Sequence, residues 1–142
     1  MKIVKFIFIF GCLLLFTPHS ALSQDFRDGN GSYLGKIESN GTVRNSSGNS
    51  IGKIESSGTA RDKSGNQIGK IESDGTVRGK SGSRLGKIES DGTVRDSSGN
   101  KIGKVESDGT VRNKSGNRIG KANHKDKKIV GAAYFFLYFN SK

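Results

Sequence analysis

Tryptophan is absent from the 142-residue chain, and cysteine, proline and methionine occur once each. A single cysteine excludes an intramolecular disulfide, the usual support of small exported domains that bury little core. Met1, Cys12 and Pro18 all lie within the first 23 residues, so nothing downstream contains any of the three. Apolar residues are also scarce. They make up 31% of the chain, but 15 of the 44 fall within those same 23 residues. The remainder, 29 of 119 or about a quarter, borders on disordered composition, and only the placement of these residues argues for a fold. A chain of this length holds one small domain and excludes a multidomain enzyme.

The apolar excess at the start has the layout of a secretory signal peptide. Lys2 and Lys5 precede an apolar run over residues 7–16, followed by Pro18 and the small residues Ala21 and Ser23, with cleavage expected after Ser23. The run is shorter than the roughly 20 residues a membrane-spanning helix needs. A lipoprotein acceptor at Cys12 fits poorly, because Phe10 is bulky and the apolar run continues past the cysteine. Loss of Lys2 and Lys5 lowers the formal charge from +11 to +9. An exported protein is expected, periplasmic, on the cell surface or secreted, with no transmembrane segment after cleavage.

What fills the rest is a repeat of seventeen residues. LGKIESNGTVRNSSGNS from Leu34, IGKIESSGTARDKSGNQ from Ile51, IGKIESDGTVRGKSGSR from Ile68, LGKIESDGTVRDSSGNK from Leu85 and IGKVESDGTVRNKSGNR from Ile102 are five full copies over residues 34–118. Phe26-Arg27-Asp28 belongs to a partial copy before them, and Ile119-Gly120-Lys121 opens another that diverges. Each copy reads as two short strands and two tight turns. Residues 72–76, Glu-Ser-Asp-Gly-Thr, suit a type I turn with Gly75 at positive φ, and Gly65 plays the same part in Asp62-Lys63-Ser64-Gly65-Asn66.

Counting through three-residue loops sets Ile71 opposite Val77 and Val77 opposite Leu85, all on one face. Leu85 and Ile88, three apart, would face opposite sides of a regular strand, so Gly86 between them predicts a bulge or corner. The same bend at Gly35, Gly52, Gly69, Gly103 and Gly120 curls the meander around an axis. The expected fold class is all-β: a closed or nearly closed meander with apolar triplets such as Ile54, Ala60 and Ile68 inside. Closure also removes exposed edges, whereas an open solenoid would keep two. Residues 129–139, IVGAAYFFLYF, are too few for a membrane helix and rich in β-branched and aromatic residues, which predicts a closing or central strand. The domain plan is a signal peptide at 1–23 and one β-repeat domain at 24–142, with repeats at 34–118, a connector at 119–128 and the closing strand at 129–139.

The tandem IGKIESDGTVR units, the SGN turns, the leader and the aromatic tail resemble the five-fold beta-flower proteins of Bacteroidetes. The resemblance covers residues 26–139. It implies an exported, compact five-fold β-meander closed by the C-terminal strand, with no established activity, ligand or site. Residues 123–128, NHKDKK, depart from the pattern.

Among chemical groups, a charged ladder dominates. Lys36, Lys53, Lys70, Lys87 and Lys104 stand two residues before Glu38, Glu55, Glu72, Glu89 and Glu106, within reach of Arg44, Arg61, Arg78, Arg95 and Arg112. The plainest expectation is a solvated outer face of weak ion pairs. The sharper one makes the ten Lys and Arg residues a candidate polyanion-binding surface, diluted by the glutamates. No aromatic residues alternate with the basic ones in the repeats, which leaves bases nothing to stack on and argues against sequence-specific nucleic-acid binding.

Asp74, Asp91 and Asp108 raise the thought of calcium, but each turn offers one carboxylate and turn chemistry explains them. His124, beside Asp126 in a Lys-rich connector, lacks the fixed surroundings of a catalytic base. The glutamates, in five equivalent Lys-paired settings, cannot split their pKa values into an acid and a base. No catalytic, metal or cofactor residue is assigned. The expected role is a non-enzymatic structural or interaction module for an unknown protein, with weak, salt-sensitive binding of acidic polysaccharide or envelope surface as the alternative.

Overall fold

The turn glycines set the local structure. The computed structural model describes residues 24–139, and the proposed signal peptide with its cleavage site and Cys12 lies outside them. Gly75 has φ 93° and Gly65 φ 88°, as their turns require. Glu72 N–H donates to Thr76 O at 2.8 Å and Gly75 N–H to Glu72 O at 3.0 Å, closing one turn; Asp62 and Gly65 make the equivalent bonds in the other.

Twelve strands result: β1 (Asp25–Asp28), β2 (Tyr33–Ile37), β3 (Thr42–Asn45), β4 (Ser50–Ile54), β5 (Thr59–Asp62), β6 (Gln67–Ile71), β7 (Thr76–Gly79), β8 (Arg84–Ile88), β9 (Thr93–Asp96), β10 (Lys101–Val105), β11 (Thr110–Asn113) and β12 (Arg118–Ala122). Neighbours in sequence pair antiparallel, and β12 pairs with β1 to close a barrel.

The bulge sits where the glycine predicts it, with one correction to the register. Ile71 pairs with Val77 as expected, but Val77 pairs with Gly86, and Arg78 with Arg84, so Leu85 is the extra residue. Leu85 is therefore half-buried against the core, whereas Ile88 and Val94 are fully buried. The triplet Ile54, Ala60, Ile68 divides in the same way, the first two buried and Ile68 packed against them from the bulge.

The two partial copies combine into a sixth unit. Phe26 faces Ala122, Arg27 faces Lys121 and Asp28 faces Gly120, the register in which Val43 faces Ile37, Arg44 faces Lys36 and Asn45 faces Gly35. Phe26 opposite Ala122 thus stands where three of the other units place Val opposite Ile, a large and a small residue replacing two of middle size.

Residues 129–139 are not a strand. A helix, α1 (Lys127–Ala132), runs directly into a π-helical turn over Ala133–Leu137. Asp126 caps it, accepting from Lys128 N–H at 2.8 Å. Closure of the wall gives the physical reason. With β1 and β12 paired, no strand edge remains inside, and an extended segment would leave its N–H and C=O groups unpaired there. A helix satisfies its own. The small residues Gly131, Ala132 and Ala133 let its backbone come close to the wall; a Cβ on Gly131 would lie 2.5 Å from Ile88 Cγ1.

The tail meets the wall one residue per unit. Tyr134 lies against Gly120, Phe135 against Gly103, Phe136 against Gly86, Leu137 against Gly69, Tyr138 against Gly52 and Phe139 against Gly35. Six consecutive side chains thus occupy the six places the glycines leave open, stepping back one repeat at a time. A π turn takes more residues per turn than an α turn and spreads them around the circle. Phe26 completes the ring, its centroid 5.3 Å from Tyr134 and 5.1 Å from Phe139.

Candidate functional site

The strand alternation that turns Ile37 and Val43 inward turns Lys36 and Arg44 outward, where they face each other across β2 and β3. The ten basic residues singled out in the sequence all lie on this outer wall, none of them buried. Two like charges side by side would repel. Each glutamate relieves this by taking the arginine of its own hairpin. Arg61 Nε donates to Glu55 at 2.5 Å, Arg95 to Glu89 and Arg112 to Glu106 at 2.6 Å, and Arg44 to Glu38 and Arg78 to Glu72 likewise. The Nη1 of each arginine also donates to a turn carbonyl, as Arg78 does to Gly82 O at 3.1 Å. The Arg row is thus committed to the wall, and of the ten only the Lys row is left to meet a partner. Single ion pairs this exposed contribute about 0 to 1 kcal/mol each.

The sixth unit extends the pattern with Lys121 and Arg27, which the broken repeat hides in the sequence. Arg27 pairs with Asp25 at 3.8 Å, and Lys121 with Asp108 at 3.8 Å.

Asp74, Asp91 and Asp108 accept from the N–H of Thr76, Thr93 and Thr110 at 2.9 Å each. These bonds hold their carboxyls below the ordinary range, with a smaller contribution from Lys87, Lys104 and Lys121 in turn. Glu55 is likewise lowered, chiefly by its hydrogen bond from Arg61. That suits an ion-pair partner and opposes the raised pKa a general acid needs.

His124 Nδ1 accepts from Asp126 N–H at 3.0 Å, orienting the loop ahead of α1. Burial moves its pKa down, against the smaller upward pull of Asp126. Lys128 reaches across this end of the barrel to Ser73 O at 2.5 Å. Around the start of α1, shallow clefts separate the helix from the Glu-Ser-X-Gly turns, lined among others by Ser56, Asp126, Lys128 and Ile129.

Inside, two hydroxyls are held by backbone. Tyr138 Oη donates to Arg61 O at 2.8 Å, with Lys53 O at 3.2 Å, and Tyr134 Oη lies between the equivalent carbonyls of Arg27 and Lys121. Burial pushes both phenols up to about 12, against the opposing pull of their hydrogen bonds. The unfolded chain ionises near 10, so the contribution of these neutral phenols to stability is present below pH 10 and lost as pH rises through about 12. An ultraviolet titration is expected to ionise Tyr33 first, since it sits half-exposed on the wall, and the other two only near pH 12 or together with unfolding. Three equal steps near pH 10 would contradict their burial.

No described helix is long and apolar enough to cross a membrane. No curated protein and no solved structure matches the chain. The family model of the 5-fold beta-flower protein matches residues 23–140, which takes in every strand of the barrel and the aromatic ring that fills it. The match spans the seventeen-residue units of the closed wall and the tail that occupies its interior, and the chain belongs to the 5-fold beta-flower family.

Proposed function

We propose that this β-repeat protein is exported and serves as a non-catalytic interaction module whose outer wall meets its partner. The observation that carries this reading is the filled interior: six consecutive tail residues occupy the space a barrel ligand would take. What remains to act is a stiff, repetitive exterior, with its arginines committed to glutamates and its lysines on the same wall, Lys53 and Lys70 exposed. The layout of residues 1–23 supports export. The protein recovered from cells should lie outside the cytoplasm and begin at Gln24, as N-terminal sequencing would read, and cross-linking there should yield a discrete partner species. A cytoplasmic product that retains Met1 would sink export, and hydrolytic turnover lost on substitution of a single glutamate would sink the non-catalytic reading.

The second reading, salt-sensitive binding of acidic polysaccharide or envelope surface, draws support from the Lys row. Among the described residues Lys36, Lys53, Lys70, Lys87 and Lys104 make no ion pair within 4 Å, which leaves their ammonium groups able to reach a polyanion, most of all the exposed Lys53 and Lys70.

A further inference from the structure

The units are not equal, and in the Glu-Ser-X-Gly turns the difference falls on one side. In copies three to five the turn aspartates Asp74, Asp91 and Asp108 stand beside the lysine of the next strand, Lys87, Lys104 and Lys121, as the register of Thr76 with Lys87 and Thr110 with Lys121 requires. Lys36 has Asp25 directly opposite. Copies one and two carry Asn40 and Ser57 where the others carry aspartate. Lys53, opposite Thr42, and Lys70, opposite Thr59, therefore lack the turn carboxylate, and Lys53 has Glu55 of its own strand as its acidic neighbour.

Burial follows the same division. Lys53 and Lys70 are exposed, whereas Lys36, Lys87, Lys104 and Lys121 are half-buried. Gly75, Gly92 and Gly109 are buried, whereas Gly41 and Gly58 are partly open. At the mouth, the turns of copies one and two border two clefts of about 240 and 230 Å³, with Lys128 on one and His124 on the other.

From this sector we infer a binding face for an acidic polysaccharide, centred on Lys53 and Lys70 and edged by Asn40, Ser57 and Lys128. The missing turn carboxylates leave two adjacent exposed lysines to meet anionic groups, and the Asn40 amide NH2, its oxygen already accepting from Thr42 N–H, and the Ser57 hydroxyl, 3.2 Å from Thr59 Oγ1, can hydrogen-bond sugar hydroxyls. The partner is a glycan rather than a nucleic acid because the sector offers no aromatic ring for a base; Tyr33, on the wall two strands away, lies under Arg27 at 5.7 Å. This rests on the interaction-module reading and narrows it to one side and one chemistry.

The test uses the repeat's own alphabet. Asn40→Asp with Ser57→Asp gives copies one and two the residue that copies three to five already carry, so the fold should accept it. Ser97→Asp with Asn113→Asp makes the same charge change in the turns of copies four and five, and Asp already stands at the position of Asn113 in Asp62 and Asp96.

Affinity for dextran sulfate, polygalacturonate and double-stranded DNA would be measured at physiological ionic strength. The first double variant should lose about ten-fold in affinity for an acidic polysaccharide and the second no more than about two-fold, since the charge change matters only where it meets the ligand. Equal losses would overturn the sector, because net charge alone would then explain binding. DNA bound as tightly, and lost with the same variant, would overturn the ligand class. A parent protein that retains none of the three would overturn the inference altogether, while export and the cross-linked partner would still decide the module reading.

Discussion

A chain ending at Lys128 is expected to lose cooperative folding entirely. Val130 and the side chains of residues 134–139 form the centre against which the wall packs. Full burial of a large apolar side chain contributes about 1.5 to 3 kcal/mol, and with Val130 and Tyr134 buried and residues 135–139 partly so, the seven supply on the order of 10 kcal/mol. That is comparable to the roughly 5 to 15 kcal/mol by which a domain is stable. The wall has no reserve to replace it, since no disulfide is possible and each unit brings in only one Ile or Val per strand on average. Phe136→Ala should give the graded version, a loss of about 2 to 4 kcal/mol, below that of a fully buried ring because Phe136 is partly buried, read by denaturant unfolding. A cooperative thermal transition in the truncated protein, at any temperature, would show that the wall stands without its centre.

The wall was legible in the sequence because its signals are local and repeat. A glycine at fixed offset in each turn, alternation along each strand and a small residue at each bulge all point to the same hairpin, copy after copy. Even so, the bulge moved the register by one, pairing Val77 with Gly86, because counting through turns does not reveal which residue a bulge leaves unpaired. The tail was misread for a different reason. Eleven apolar residues with aromatic and β-branched content satisfy a strand or a buried helix equally, and periodicity does not separate them. What decides is the closure of β1 on β12, nearly a hundred residues apart, which removes any edge a strand could join. The sixth unit was hidden likewise: each half reads as a decayed repeat until the ends meet.

At the candidate site the sequence disclosed which residues are basic but not which are spent. Lys and Glu two apart suggest one pairing, and the strand geometry makes another, Arg with Glu across the hairpin, leaving the lysines available. The signal that copies one and two differ was present as Asn40 and Ser57, and it gains meaning only once the register sets them beside Lys53 and Lys70.

The glycines of a single repeat separate two roles that the sequence cannot distinguish, and this gives the second large effect. Gly86 and Gly99 lie thirteen positions apart, one in β8 and one in a turn. Gly99 has φ 88° and nothing near its absent side chain, so Gly99→Ala meets only backbone strain, a cost of about 1 kcal/mol. Gly86 needs no unusual φ, and a reading from conformational freedom would find it replaceable. Its hydrogen faces the Arg95 carbonyl on one side and the Phe136 ring on the other, both inside the distance any Cβ tolerates. One contact is backbone in a closed wall and the other is a ring fixed between its neighbours, so neither can yield without moving a strand or the central turn. Overpacking a filled core costs about 1 to 3 kcal/mol where side chains can shift, and here the expected loss lies above that range. Gly86→Ala should therefore unfold at markedly lower denaturant than Gly99→Ala. Adding Phe136→Ala should not restore it, because the clash with the Arg95 carbonyl persists and the ring's own burial is lost. If the two single variants proved equally stable, the glycines would be turn and bulge formers alone, and the seating of one tail residue on each repeat would not be what closes the core.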